Sequence, residues 1–341
     1  MSIVMTGGGT GGHLAIIRAV KEELKGEKNI YIGSISGQDK AWFENDNDFK
    51  KKYFLQTRGV VNQGFLGKIK SLWMLARAVV DSYKILKQED VKVVFCVGGF
   101  SAAPASIASI IAGIPLVIHE QNAVIGSLNR RLMKYSKAFI SSYIKDSPIK
   151  SYPVKKEFFD KARTRKNVKS ILFLGGSQGS LAINNIALSL ASWLNDENIK
   201  IVHQAGEKNI DNVKARYKEL GIVADVFGFA NNMPQIMSEA DIAVARSGAS
   251  TLWELCANNL PSIFIPYPYA AGDHQFFNAK FLVEQNLAFV FRENEIDIQK
   301  IKNIIKDSKN LEIRSKALKN TIDKKGSRQI ADLLLRLSSK G

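Results

Sequence analysis

Cysteine is scarce in this chain: there are two in 341 residues, Cys96 and Cys256, both in apolar stretches and neither in a C-x-x-C spacing. A cysteine-built zinc or dithiol redox centre therefore has no ligands, and two buried, reduced thiols are expected. Long apolar runs are equally scarce. The best candidate, Phe100 to His119, is interrupted by three serines, two prolines and a glycine. It reads as a buried helix and strand rather than a membrane span. The start has no basic segment followed by a long apolar one, so no secretory leader is expected. The Walker pattern G-x-x-x-x-G-K-[ST] is absent, which disfavours a P-loop NTPase. Acids are outnumbered, 32 against 48 lysines and arginines, for a net charge of +16. That excess favours an anionic partner, whether nucleic acid, acidic lipid or a phosphorylated small molecule. No DNA- or RNA-binding motif is visible, so no nucleic-acid partner is expected.

What is present is alternation. Short β-branched runs at Ile3–Met5, Ile30–Ile32, Val91–Val97, Leu116–His119 and Ala138–Ser141 are separated by amphipathic stretches. A second series follows at Ser170–Leu174, Ile199–Gln204, Ala224–Phe227, Ile242–Ala245, Ser262–Pro266 and Ala288–Phe291. This pattern predicts parallel sheets with crossover helices. The order also repeats. A strand followed by "GGGTGGH" opens the first series, and a strand followed by "GGSQGS" opens the second. The length suits two domains. We expect an α/β chain of two Rossmann-like parallel-sheet domains facing a cleft, divided near the charge-dense segment 153–167 into 1–155 and 156–341. The last helical segment is free to return to the first half.

Five of the six positions from Gly7 to Gly12 are glycine, which is costly in backbone entropy unless something must approach closely. Gly7, Gly9 and Gly12 fit G-x-G-x-x-G between a strand and a helix, where main-chain N–H groups can meet a diphosphate. A dinucleotide fold wants an acid at the end of the second strand; that strand ends "IYIGSIS", with none. The competing reading is a tight turn with no ligand.

The segments "GGGTGGH" (7–13), "GGF" (98–100), "HEQNAVIG" (119–126), "GGSQGS" (175–180), "RSGASTLWEL" (246–255) and "DHQFFNA" (273–279) run in one order across nearly the whole chain. As a set they resemble the MurG family, peptidoglycan N-acetylglucosaminyltransferases of the GT-B fold. The resemblance implies inverting transfer of GlcNAc from UDP-GlcNAc to the C4 hydroxyl of MurNAc in undecaprenyl-diphosphate-linked lipid I, with no cofactor and no metal. It implies that Thr10, Gly11 and Gly12 face donor and acceptor, that His13 is the base, and that Asn122 lies near the GlcNAc. It assigns Ser177 and the turn Ala249, Ser250 and Thr251 to the donor diphosphate, Phe229 and Ala230 to the uracil, Glu254 to the ribose hydroxyls and Gln275 to the donor sugar. Lys155 stands where the family usually has arginine, keeping the charge but losing the bidentate fork. Phe100 stands where many members have tyrosine, and is given no chemical role.

The residues argue part of this independently. His13 is one of four histidines and the one beside a glycine turn. A neutral imidazole at a helix N-terminus can accept a proton, although it can also simply orient the loop. His119 and Glu120 are the alternatives. Glu254 has apolar neighbours and suits a ribose diol. The acids Asp46 and Asp48 of "ENDNDFK" form a D-x-D, but in a polar stretch far from either glycine turn, so a solvated turn is expected. In the segment 65–87, Leu72, Ala76, Val79 and Tyr83 share a helical face and are expected in the core. Phe65, Leu66, Ile69 and Trp73 remain, interleaved with Lys68 and Lys70, and Arg130, Arg131 and Lys134 lie in the same half. That combination suits an anionic membrane surface and peripheral attachment on the cytoplasmic face. A UDP-GlcNAc epimerase of the same two-domain fold and a basic nucleic-acid-binding module are the competing functions.

Overall fold

The computed structural model describes residues 2–57, 65–176 and 178–339, with backbone alone at 65–69. The chain divides into two compact units, Met1–Lys155 with Lys324–Gly341, and Lys156–Asp323.

The first unit is a parallel sheet of β1 (Ser2–Thr6), β2 (Lys28–Ser34), β3 (Lys51–Leu55), β4 (Val93–Cys96), β5 (Leu116–Glu120) and β6 (Ala138–Ser141), in the order β3-β2-β1-β4-β5-β6. Its central strands are buried throughout, as a parallel sheet covered on both faces requires. The helices are α1 (Gly11–Glu22), α2 (Asp39–Phe43), α3 (Phe65–Gln88), α4 (Ala103–Ile111) and α5 (Ser127–Leu132).

The second unit repeats the plan with α6 (Lys156–Asp160), β7 (Ser170–Leu174), α7 (Leu181–Asp196), β8 (Lys200–Gln204), α8 (Ile210–Glu219), β9 (Ala224–Phe227), α9 (Met233–Glu239), β10 (Ile242–Ala245), α10 (Ala249–Ala257), β11 (Ser262–Phe264), α11 (His274–Glu284), β12 (Ala288–Val290), α12 (Ile298–Lys306) and α13 (Ser308–Leu318). Its strand order, β12-β11-β10-β7-β8-β9, is the same topology as the first. The last helix, α14 (Gly326–Ser338), belongs to the first unit and packs on α1, β1 and β4. A Cβ at Gly326 would fall 2.6 Å from the Ser151 carbonyl oxygen, so only glycine permits this approach. Both cysteines are free and buried.

Two expectations change. β3 was not expected as a strand. Lys51 and Lys52 open it, and its lysine and tyrosine serve a buried acid: Lys51 Nζ and Tyr53 Oη lie 2.6 and 2.8 Å from Glu89 Oε1, with Lys28 3.1 Å from Oε2. The Lys51 hydrogen bond leads in holding the Glu89 carboxyl down to about 2. The buried face of α3 is also different. Of the four positions expected in the core, Val79 packs half-buried against it, but Leu72, Ala76 and Tyr83 are exposed, whereas Ser71, Ala78, Ser82, Ile85 and Leu86 are buried. The face is displaced by one residue, about 100°. The small side chains Ala78 and Ser82 let the alanine-rich α4 come close, and bulk is left outside.

Arg165 fixes the entry to the second unit. It is fully buried and donates to the main-chain oxygens of Ala240 (3.1 Å), Arg163 (2.7 Å), Met237 (2.9 Å) and Asn258, and to Asn258 Oδ1 (2.6 Å). A cation at the C-terminal end of α10 complements the helix dipole and sets that helix in place.

The α3 assignment gives a direct test. Ala78→Phe should cost about 1–3 kcal/mol through overpacking, and Ala76→Phe under about 0.5 kcal/mol, as read from urea midpoints. The opposite ranking would restore the face first expected.

Candidate active site

In each sheet the strand order reverses beside its first strand, between β1 and β4 and between β7 and β10. Ligands of open parallel sheets bind outside the carboxyl ends of the strands at such a point. The glycine turns after β1, β4 and β7, and the turn after β10, all occupy it.

In the first unit, the turns after β1 and β4 interlock. The Gly8 N–H donates to the Gly98 carbonyl at 3.3 Å. Gly9 has φ +84, and a Cβ there would meet the Phe100 ring at 2.6 Å. The residues therefore pack main chain against main chain. Thr10 caps α1 in extended conformation, and Gly11, Gly12 and His13 form its first turn. His13 is half-buried and held at both nitrogens. Thr10 Oγ1 lies 2.9 Å from Nδ1, and the Gln121 amide nitrogen 2.9 Å from Nε2. With that amide donating, Nδ1 carries the proton and the Nε2 lone pair accepts from Gln121, a contact that a hydroxyl to be deprotonated at Nε2 must displace.

The alternatives to His13 fare worse. His119 is fully buried, its ring edge-on to Tyr152, and burial pushes its pKa down to about 3. Glu120 is buried and accepts from Asn122 N (2.9 Å), Gly126 N (3.0 Å) and Asn129 Nδ2 (2.8 Å). Its carboxylate shapes the loop that carries Asn122 and Gln121. Lys155, at the end of the first unit, lies 2.7 Å from Glu22 of α1. Asp46 and Asp48 converge on buried Lys21 at 2.6 and 2.9 Å. The D-x-D thus lies in a turn with Asp48 solvated, as expected, and in addition anchors α1 through Lys21.

In the second unit, Ser180 caps α7, its hydroxyl accepting from Ile183 N at 3.4 Å. Ser177 lies outside the described residues. Gly248 caps α10, and a Cβ at Gly248 or Gly176 would meet nothing within 4 Å. Ala249, Ser250 and Thr251 form the first turn of α10, and half-buried Glu254 follows on the same helix. Four hydrogen bonds tie the neighbouring turns together, three of them at the residues leading into this helix. Arg246 Nη1 donates to the Ile265 and Pro266 carbonyls at 3.0 Å each. Gln275 Oε1 accepts from Tyr267 N at 3.0 Å, and buried Asn278 donates to the Ser247 carbonyl at 3.1 Å. Arg246 also pairs with Glu293. Phe229, exposed, and Ala230 follow β9. Among the described residues, no group of three or more metal-ligating side chains gathers.

The second unit thus offers helix N-termini for an anion and a half-buried carboxylate for a diol; the first offers an imidazole beside a main-chain turn. Gln121 and Arg246 were not singled out from sequence, although both lie inside quoted motifs. Their partners, His13 and Glu293, are far away in the chain.

Two Rossmann-like units of identical topology, each with a glycine turn at its switch point, are the architecture of the GT-B fold. Residues 3–141 match the glycosyltransferase family 28 N-terminal domain and residues 170–334 its C-terminal domain. A Sulfurovum protein described as "UDP-N-acetylglucosamine--N-acetylmuramyl-(pentapeptide) pyrophosphoryl-undecaprenol N-acetylglucosamine transferase" is 60% identical over 98% of both chains. The structure of MurG from Acinetobacter baumannii superposes with a TM-score of 0.80 at 25% identity, over 98% of this chain and 99% of that one. The chain belongs to glycosyltransferase family 28 and, within it, to the MurG transferases. The UDP-GlcNAc 2-epimerase of Neisseria meningitidis, at 14% identity and TM-score 0.63 over the full length of both, shares the fold alone.

The His13–Gln121 contact generates a prediction. In Gln121→Glu, a carboxylate would accept the Nε2 proton and favour the other tautomer. We expect kcat to fall about 10²-fold, with the donor KM unchanged. A raised donor KM with kcat intact would make Gln121 a loop-shaping residue only.

Proposed function

We propose that this chain transfers GlcNAc from UDP-GlcNAc to the C4 hydroxyl of MurNAc in lipid I, inverting the anomeric centre. The observation that carries the reading is the α10 start: a glycine cap with open space at its Cβ position, and Glu254 on the same helix of nine residues. Main-chain N–H groups at Ala249, Ser250 and Thr251 meet the donor diphosphate, with Ser177 assisting. Glu254 accepts the ribose hydroxyls. Phe229 and Ala230 hold the uracil, and Gln275 the donor sugar. The second unit is then the UDP-GlcNAc domain.

The first unit takes the acceptor. His13 removes the proton from the attacking hydroxyl, whose oxygen bonds to the anomeric carbon opposite the departing UDP. Thr10, Gly11, Gly12 and Asn122 line that approach. Positive potential at the helix N-termini stabilises the leaving diphosphate. Lys155 is assigned no firm donor contact, because Glu22 already holds it.

The first unit also docks on the membrane. Among the described residues, no helix is long and apolar enough to cross a bilayer. The outer face of α3 presents Leu72, Trp73, Val80 and Tyr83, with Trp73 63% exposed, and Ile111 of α4 is exposed too. Arg77 lies 5.8 Å from the Trp73 ring and Lys87 5.8 Å from the Tyr83 ring. Apolar side chains among cations suit an anionic, cytoplasmic leaflet. Phe65, Leu66 and Ile69, expected in this patch, lie outside the described side chains.

Two outcomes follow. Glu254→Ala should raise the KM for UDP-GlcNAc at least about tenfold, leaving that for lipid I unchanged; an unaltered donor KM in the folded variant would remove Glu254 from the site. Leu72→Ser with Trp73→Ser should weaken binding to anionic vesicles and activity on lipid I, while sparing a soluble short-chain acceptor. Wild-type binding should fall without vanishing at 1 M salt, where the Debye length is about 3 Å. Equal loss on both acceptors would place the patch outside membrane docking.

A further inference from the structure

The two glycine turns are not electrostatically equivalent. Behind the first lies Asp39, fully buried at the start of α2. Its Oδ1 accepts the Gly9 N–H at 2.6 Å and its Oδ2 the Ser34 N–H at 2.9 Å. Among the described residues, no cation is paired with it. The turn is moulded on the carboxylate: a Cβ at Gly8 would fall 2.3 Å from Asp39 Oδ1. The neighbouring Tyr31 hydroxyl donates to the Gly7 carbonyl at 2.9 Å. Burial first, and then the Asp39 charge, push that phenol's pKa upward, so it adds no compensating charge.

Two of the N–H groups a phosphate would use are thus already spent, Gly8 on Gly98 and Gly9 on Asp39. The N-terminus of α1 offers the equivalent of about half a positive charge. Asp39 sets its carboxyl group beside it, in surroundings that screen poorly. The second turn also spends two N–H groups, but both on neutral carbonyl oxygens. The Gly175 N–H goes to the Gln204 carbonyl and the Gly179 N–H to that of Gly176. The side chain nearest Gly179 is the Asn209 amide, and nothing lies within 4 Å of a Cβ at Gly176.

We propose that Asp39 is a specificity-determining residue, which closes the first glycine turn to phosphate and reserves it for a neutral, hydroxyl-bearing group. On the reading of the first unit as the acceptor domain, the sugar ring of the acceptor sits at Thr10–His13, and its diphosphate is held elsewhere.

The test is an amide NMR titration of the full chain with inorganic pyrophosphate. In wild type, Gly8, Gly9, Gly11 and Gly12 should not shift. In Asp39→Asn, which keeps an oxygen for Gly9 N–H while removing the charge, Gly11 and Gly12 should shift, with affinity at least about tenfold tighter than any wild-type response. A saturable wild-type shift at Gly11 and Gly12 overturns the inference, as does an Asp39→Asn protein of native fold that gains nothing. Should Asp39→Asn fail to fold, the wild-type arm decides alone. Ala249, Ser250 and Thr251 report on the donor site in the same spectra, so silence there counts against the donor reading and not against Asp39.

Discussion

The break in strand order beside β1, repeated beside β7, is the constraint on which the molecule depends. There, two neighbouring crossovers leave to opposite faces, and the carboxyl ends of the strands stay uncovered. A turn at this point must start a helix at once, with main chain packed against main chain. Hence the glycines between Thr6 and α1, the left-handed Gly98 and Gly99 after β4, and the capped starts of α7 and α10. Each helix start brings main-chain N–H groups and positive potential to the same place. The chemistry of both units is a use of that geometry.

The same geometry is then biased differently. In the first unit a buried carboxylate and a clamped imidazole sit at the turn; in the second, an open cap and a carboxylate on the helix behind it. Proton removal from a hydroxyl and stabilisation of a leaving diphosphate ask for opposite environments. The two units share a fold and differ in what lies behind the first turn.

The sequence disclosed whatever depends on local pattern. Ser2–Thr6 and its counterpart Ser170–Leu174 announce themselves as buried parallel strands, and the glycine turns and His13 follow directly. Structure set by partners distant in the chain stayed hidden. β3 opens with two lysines: the role of Lys51 depends on Glu89, 38 residues beyond it, while Lys52 donates to the Glu44 and Asp46 carbonyls. The face of α3 was misplaced because bulky residues suggest a core, whereas Ala78 and Ser82 are buried by virtue of being small. Nothing local singles out Asp39, whose partner Gly9 lies 30 residues away. Gln121 reads as one letter of a motif until it is found on His13, 108 residues back. Glu120 looked like a candidate base; three amide donors make it a scaffold.

The central claim is that this chain joins a sugar from a nucleotide donor to a lipid-linked acceptor. The direct measurement is incubation of the purified protein with radiolabelled UDP-GlcNAc and a short-chain lipid I analogue, followed by separation of the products and assignment of the anomeric configuration. The account predicts a β-linked disaccharide on the lipid carrier, one UDP released per transfer, and no conversion of the donor when acceptor is omitted. Acceptor-independent formation of UDP-ManNAc, with no labelled lipid, would contradict it.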